Sequence, residues 1–148
     1  MLSVLINTNL LEASRINNIE RYFFTLSACL YSATKQKNTK IPGLKEDDTY
    51  PGDPEDGYGW KKLFIERMCS HFLEDFNLDV RILRLHNVYG LIETYAGGRE
   101  KAPSAISRKI AEAKLNNKEA IDVWRDGEQT RSFMYIDDCI EGVLRIFF

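Results

Sequence analysis

The stretch YGWKKLFIERMCSHFLEDFNLDVRILRLHNVYG, residues 58–90, decides the fold class because its hydrophobic pattern changes once. Over residues 58–76, Ile65, Met68, Phe72 and Phe76 fall at i, i+3, i+7 and i+11, the stripe of an amphipathic helix, and Lys61, Glu66 and Glu74 are left for solvent. Residues 79–85, DVRILRL, form a short apolar run that stops at HNVYG, as a strand of a sheet does.

The same alternation extends outward. RYFFTLSACLY is apolar and aromatic and reads as a buried strand through Thr25 or Leu26. Before it, Leu2, Leu5, Ile6, Leu10, Ala13 and Ile16 recur at helical spacing, with Asn17 and Asn18 able to close the helix. Residues 32–57 are polar and hold Pro42, Gly43, Pro51, Gly52 and Pro54, a loop long enough to suggest a function. Downstream, TYAGGREKAP leads into a helix expected from about Ser104 to Leu115. IDVW, residues 121–124, is expected as a short strand, and RDGEQTR, residues 125–131, as a turn. Residues 137–147 close the chain as a helix, with an aspartate at its N-cap and Ile140, Val143, Leu144 and Phe147 toward a core. Helix, strand, loop, helix, strand is the rhythm of a parallel α/β sheet, in which ligands sit beyond the carboxyl ends of the strands. SACLY, HNVYG and the start of the Tyr58 helix then share one edge.

Composition excludes several classes of function. The chain has 148 residues, 44% of them hydrophobic and 28% charged, which suits a folded domain and not a disordered tail. Its 20 basic and 22 acidic groups leave a net charge of −2 without a basic cluster, which argues against a nucleic-acid surface. No apolar run approaches the ~18 residues that span a bilayer. The N-terminus lacks the pattern of a secretory signal. Cys29, Cys69 and Cys139 are odd in number and form no CxxC pair, so reduced thiols in the cytoplasm are expected instead of a disulfide or zinc framework. His71 and His86 are the only histidines, and no metal site is expected.

Two features could carry chemistry. Tyr58 and Lys62 stand at i and i+4, one turn apart on one helix face. A phenol ordinarily ionises near pH ~10, and a neighbouring ammonium favours the phenolate, so such a pair can take a proton from a substrate hydroxyl. YxxxK is common, however, and alone it describes a solvated lysine beside a half-buried tyrosine. The second feature is Cys29, where an apolar strand gives way to a polar segment. Position alone reads it as a small buried hydrophobe, since cysteine is among the most buried residue types.

Taken in order, a strand ending in SAC, a long loop, YxxxK opening a helix and a strand ending in RLHNVYG resemble the extended short-chain dehydrogenase/reductase family of nucleotide-sugar epimerases and dehydratases. DGEQTRSFMYIDDCIEGV is similar to that family's DGxQxRxFxxVDD segment. Together SACLY, GGREKAP and GEQTRSF resemble the branch that epimerises GDP-mannose, and the likeness runs over nearly the whole chain. It implies an α/β fold: the second half of a Rossmann-like parallel sheet over residues 1–90, then part of a smaller sugar-nucleotide region over residues 91–148, whose final helix packs back on the first part.

The resemblance also implies a chemistry. Such enzymes oxidise the sugar at C4 with bound NAD, epimerise next to the ketone and reduce it again. Tyr58 would be the base for the C4 hydroxyl, Lys62 would tune it and hold the nicotinamide ribose, and Ser27 would hydrogen-bond near C4. Cys29 and Lys101 would move protons at the carbons flanking the ketone. Ala28, Asn87, Glu100, Ala102, Lys109, Gln129, Thr130 and Arg131 would contact the GDP-sugar. A carbon beside a ketone is acidified because its charge moves onto oxygen, and inverting it needs an acceptor on one face and a donor on the other. A thiol and an amine can divide those roles, in an order the sequence leaves open.

GxGxxG and the acidic residue that follows the next strand are absent from this sequence, so the chain is expected to be the middle of a longer enzyme, without turnover of its own. Leu26 stands where a small polar residue is usual and is expected to crowd the cofactor side; Ser32 stands in place of a proline, and Arg125 in place of a glycine. Two alternatives remain open. One is a non-catalytic remnant that pairs with a full-length relative or with itself as a homodimer. The other is a different nucleotide-sugar 4-epimerase or dehydratase, for which Cys29 is incidental.

Overall fold

The computed structural model describes residues 2–36, 43–124, 127 and 130–148. The chain divides into two compact units, one reaching as far as Leu85 together with Val143–Phe148, the other His86–Gly142.

The first unit runs α1 (Leu2–Ile16), β1 (Arg21–Ser27), a 3-10 turn at Ala28–Leu30, the single turn α2 (Ala33–Gln36), a 3-10 turn at Glu46–Thr49, α3 (Gly57–Phe76) and β2 (Asp79–Leu85). β1 and β2 pair in parallel from Arg21↔Asp79 to Ser27↔Leu85, so both strands end at one level. Alternation then sends Tyr22, Phe24 and Leu26, with Val80, Ile82 and Arg84, to one face. Against that face α1 and α3 bury Leu11, Ile65, Cys69, Phe72 and Leu78. Each large apolar side chain so buried contributes about 1.5–3 kcal/mol. A second cluster at the strand ends joins Leu26, Leu30, Tyr31 and Leu63. On the opposite face, the Phe23 ring meets Phe147 edge-on at 6.1 Å, and Arg21 donates to the Phe147 carbonyl.

α3 is bounded by its own sequence. Asp56 caps it by accepting the Gly59 amide at 2.8 Å. Asn77 ends it at φ 55°, in the left-handed conformation that asparagine tolerates.

The second unit contains β3 (Asn87–Tyr89), α4 (Ala102–Leu115), β4 (Phe133–Tyr135) and the first half of α5 (Ile136–Phe147). β3 pairs with β4 in parallel, and Tyr89 packs its ring on Tyr135 at 5.5 Å and on Phe133 at 6.3 Å. A side chain at Gly90 would fall 2.8 Å from Ile136 Cγ2, so glycine lets β3 end against the start of α5.

Several sequence expectations are corrected. Residues 121–124 are not a strand; the partner of β3 is Phe133–Tyr135. α4 starts at Ala102, with Pro103 in its first turn where the missing amide costs nothing. α5 starts at Ile136, which puts Asp137 and Asp138 inside the first turn, and Ile140 and Leu144 are half exposed. In α1 the core is met by Leu11 and Val4, while Leu2, Leu5, Ile6 and Leu10 stay exposed. Leu26 lies in the second cluster, buried against Leu30 and Leu63. Glu66 is 4% exposed, not solvated, because Arg84 draws it inward. Of the turn expected over residues 125–131, Arg125, Asp126, Glu128 and Gln129 lie outside the described residues.

The inward face of α1 is directly testable by chemical denaturation. Leu11→Ala is expected to lower unfolding stability by about 3 kcal/mol, whereas Leu5→Ala shifts it by less than about 0.5 kcal/mol.

Candidate functional site

At the end of β1 the backbone turns sharply. Ser27 Oγ accepts the Cys29 amide at 3.3 Å and so caps the 3-10 turn. Leu30 and Tyr31, both buried, pin the far side of that turn. Between them Ala28 is half-buried and the Cys29 thiol is exposed. Cys29 is therefore not the buried hydrophobe that position alone suggests.

The first turn of α3 closes on this corner. A side chain at Gly59 would run into the Cys29 carbonyl oxygen and lie 2.7 Å from Pro54 Cβ. Only a glycine allows that approach, and it sets Tyr58 one residue from the contact. Lys62, one turn on, reaches back to β1, where its ammonium donates to the Thr25 carbonyl at 2.9 Å. The same Nζ lies 4.9 Å from the Phe24 ring centroid and 5.7 Å from that of Tyr58. Burial lowers the Lys62 pKa from its ordinary value. The structure thus gathers Ser27, Ala28, Cys29, Tyr58 and Lys62 at the carboxyl edge of β1. By contrast Cys69 is sealed in the core, and burial pushes its thiol up to about 12.

In the second unit, Lys101 is exposed at the N-cap of α4, beside Ala102. It lines a cleft of about 570 Å³ with Leu91, Glu93, Tyr135 and Asp137. Glu100 is committed elsewhere: it accepts from Arg108 Nη2 at 3.0 Å, and Arg108 Nε also donates to the Tyr95 carbonyl at 2.6 Å. Backbone amides of Glu100 and Gly98, with Arg108, hold the Glu100 carboxyl below its usual range. Lys109 donates to the Asp122 carbonyl at 2.6 Å, and Asn87 to the Ser132 carbonyl at 3.1 Å. Thr130 and Arg131 are exposed, with Arg131 Nη1 donating to the Thr130 carbonyl at 2.8 Å. Gln129 lies outside the described residues. Among the described residues no cluster of His, Cys, Asp or Glu could hold a metal, and no helix is long and apolar enough to cross a membrane.

Sequence reasoning missed Gly59, Arg108 and the Glu66–Arg84 pair. The signal for the pair was present: Val80, Ile82 and Arg84 share one strand face, and a charge in such a row needs a partner.

Residues 2–147 match the NAD dependent epimerase/dehydratase family, and the chain belongs to that family. Among its relatives, GDP-mannose 3,5-epimerase of Arabidopsis thaliana is 46% identical over 97% of this chain and 37% of its own length. GDP-mannose 3,5-epimerase 1 of Oryza sativa subsp. indica matches to the same extent, 46% identical over 97% of this chain. The chain thus spans under two fifths of the length of these curated relatives. UDP-N-acetylglucosamine 4-epimerase from Methanobrevibacter ruminantium superposes with a TM-score of 0.75 at 26% identity, covering 95% of this chain and 41% of that one. A GDP-L-fucose synthetase from Naegleria fowleri shares the fold, with a TM-score of 0.78 at 18% identity over 98% of this chain and 45% of that one.

The glycine contact separates two neighbouring positions in one helix turn. Gly59→Ala is expected to destabilise the protein by about 1–3 kcal/mol, because the added methyl meets backbone. Gly57→Ala, with nothing within 4 Å of the new methyl, is expected to leave the melting temperature unchanged or higher.

Proposed function

We propose that this chain carries the proton-transfer residues of a GDP-mannose 3,5-epimerase. The observation that supports it most is the exposed Cys29 thiol, on a turn that the first residues of the Tyr58 helix press against. The identity to GDP-mannose 3,5-epimerases over almost the whole chain supports the same reading.

In this reading Tyr58 accepts the C4 hydroxyl proton, and the nearby Lys62 ammonium stabilises the phenolate that does so. Ser27 hydrogen-bonds the oxygen at C4. Bound NAD supplies the hydride acceptor and donor for C4; Tyr58 and Lys62 fit its nicotinamide ribose, since an exposed phenol and an ammonium lie on one helix face at the strand end. Cys29 and Lys101 remove and return protons at the carbons flanking the ketone. Glu100, one of whose carboxylate oxygens Arg108 holds, is a further contact to the sugar nucleotide. Ala28, Asn87, Ala102, Lys109, Gln129, Thr130 and Arg131 are the remaining contacts to the GDP-sugar.

The test is a chimera of the Arabidopsis thaliana enzyme in which this chain replaces the matching segment. It is expected to convert GDP-mannose in deuterated water with label entering at C3 and C5. Cys29→Ala and Lys101→Ala should each slow labelling by about 100-fold or more. Unchanged labelling in Cys29→Ala rejects the assignment, and a product altered at C4 alone selects the 4-epimerase alternative.

A second reading, pairing with another chain, is favoured by a separate observation. Leu2, Leu5, Ile6 and Leu10 on α1 and Trp60 and Phe64 on α3 remain exposed as apolar surface. In sedimentation equilibrium the chain is expected to self-associate, and Leu5→Glu with Phe64→Glu to return it to monomer. A strictly monomeric parent chain counts against pairing with itself.

A further inference from the structure

One guanidinium joins four separate parts of the first unit. Arg84, on the helix-covered face of β2, donates from Nε to Glu66 Oε2 at 2.8 Å and from Nη2 to Glu66 Oε1 at 2.7 Å, the bidentate fork that arginine makes with a carboxylate. Its remaining terminus, Nη1, donates to the Glu46 carbonyl at 2.7 Å and to the Tyr31 hydroxyl at 3.3 Å. Tyr50 donates its own hydroxyl to Glu66 Oε1 at 3.3 Å. Glu66 belongs to α3, Tyr31 follows the turn that carries Cys29, Glu46 opens the 3-10 turn of the long loop, and Tyr50 follows it. The side chains of Arg84 and Glu66 are 16% and 5% exposed.

Burying such a pair contributes little net stability, because the desolvation of both ions offsets their attraction. Its effect is to fix positions. Glu66 occupies two donors and so fixes the plane of the guanidinium, which leaves Nη1 aimed at the loop and at Tyr31. A lysine could hold the charge but not the fork.

We infer that Arg84, oriented by Glu66, is a positioning residue that clamps the Glu46–Thr49 turn and Tyr31 to the sheet, and so holds the Cys29 turn in place beside the first turn of α3. The link to Cys29 rests on the epimerase reading; the clamp itself does not. Burial opposes the charge on Arg84, yet the hydrogen bonds of Glu66 and Tyr31 hold its pKa above the ordinary value, so the guanidinium stays charged at any ordinary pH.

The experiment compares the chain with Arg84→Lys and with the double variant Glu66→Leu/Arg84→Met, which replaces the pair with apolar groups of similar volume. Amide hydrogen exchange is read segment by segment, with thermal unfolding as the control. In the double variant the melting temperature is expected to stay within a few degrees of the parent. Amides of residues 28–31 and 43–50 should exchange at least ten times faster, while those in the middle of α3 keep their protection. Arg84→Lys should show the same two segments accelerated to a smaller degree. Parent-like exchange in those segments, in either folded variant, overturns the clamp. Uniform acceleration that includes α3 also overturns it, since that is a stability effect alone. Should the double variant not fold, Arg84→Lys decides by the same two outcomes. No sugar nucleotide or NAD enters these measurements, so failure of the epimerase reading and failure of the clamp are distinguishable.

Discussion

The contact between the first turn of α3 and the carbonyl of Cys29 is the constraint on which the arrangement of the first unit's candidate site depends. It exists because position 59 has no side chain, and because Leu63 and Leu30 meet in one apolar cluster on the same side. Packing of that kind tolerates little displacement, since interiors are dense and an extra methylene already forces its neighbours to move. The turn after β1 therefore cannot drift from the Tyr58 helix without opening the core beneath it. A rigid apolar floor under an exposed thiol and phenol and a half-buried ammonium lets side chains face solvent or ligand without losing their spacing.

Legibility in the sequence followed the strength of each physical signal. α3 and β2 were plain from residues 58–85 because a long 3.6-residue stripe and a short apolar run have few other readings. α1 was legible as a helix but not in its orientation. Its wider apolar stripe, Leu2, Leu5, Ile6 and Leu10, faces outward, and the inward contact is made by Val4 and Leu11. Periodicity reports an apolar face without reporting what covers it. The strand assigned to residues 121–124 failed for a related reason, since four apolar or polar residues match any period. The true partner of β3 is held by aromatic contacts between Tyr89, Phe133 and Tyr135, which are pairings across the chain.

At the candidate site, residue types were legible and commitments were not. Glu100 and Lys109 carry charges that a sequence leaves free, yet the structure engages them with Arg108 and with the Asp122 carbonyl. Glu66 was read as solvated because it falls off the apolar stripe of Ile65, Met68, Phe72 and Phe76. Its burial is decided by Arg84, eighteen residues away and on a strand. Long-range ion pairs leave no local trace except an unexpected charge in an apolar row.

Arg84 and Lys62, both reaching in from the first unit's surface, differ in what holds them. Arg84 is neutralised by a bidentate carboxylate, so its field falls away quickly and its donors serve geometry. The partners of Lys62 are a neutral carbonyl and the faces of Phe24 and Tyr58. Contacts of an ammonium with ring faces are worth about 0.5–2 kcal/mol each and leave its full charge uncancelled. Partial burial then makes that charge count for more, because the surrounding dielectric is lower. The same burial depresses the Lys62 pKa, so desolvation opposes the charge it strengthens. An ammonium held by a carbonyl can stabilise a phenolate one turn away, whereas one held by a carboxylate would have its field cancelled at that distance. The sequence places both lysine and tyrosine at one turn's spacing; what spacing alone does not give is that the Lys62 ammonium is held by the Thr25 carbonyl.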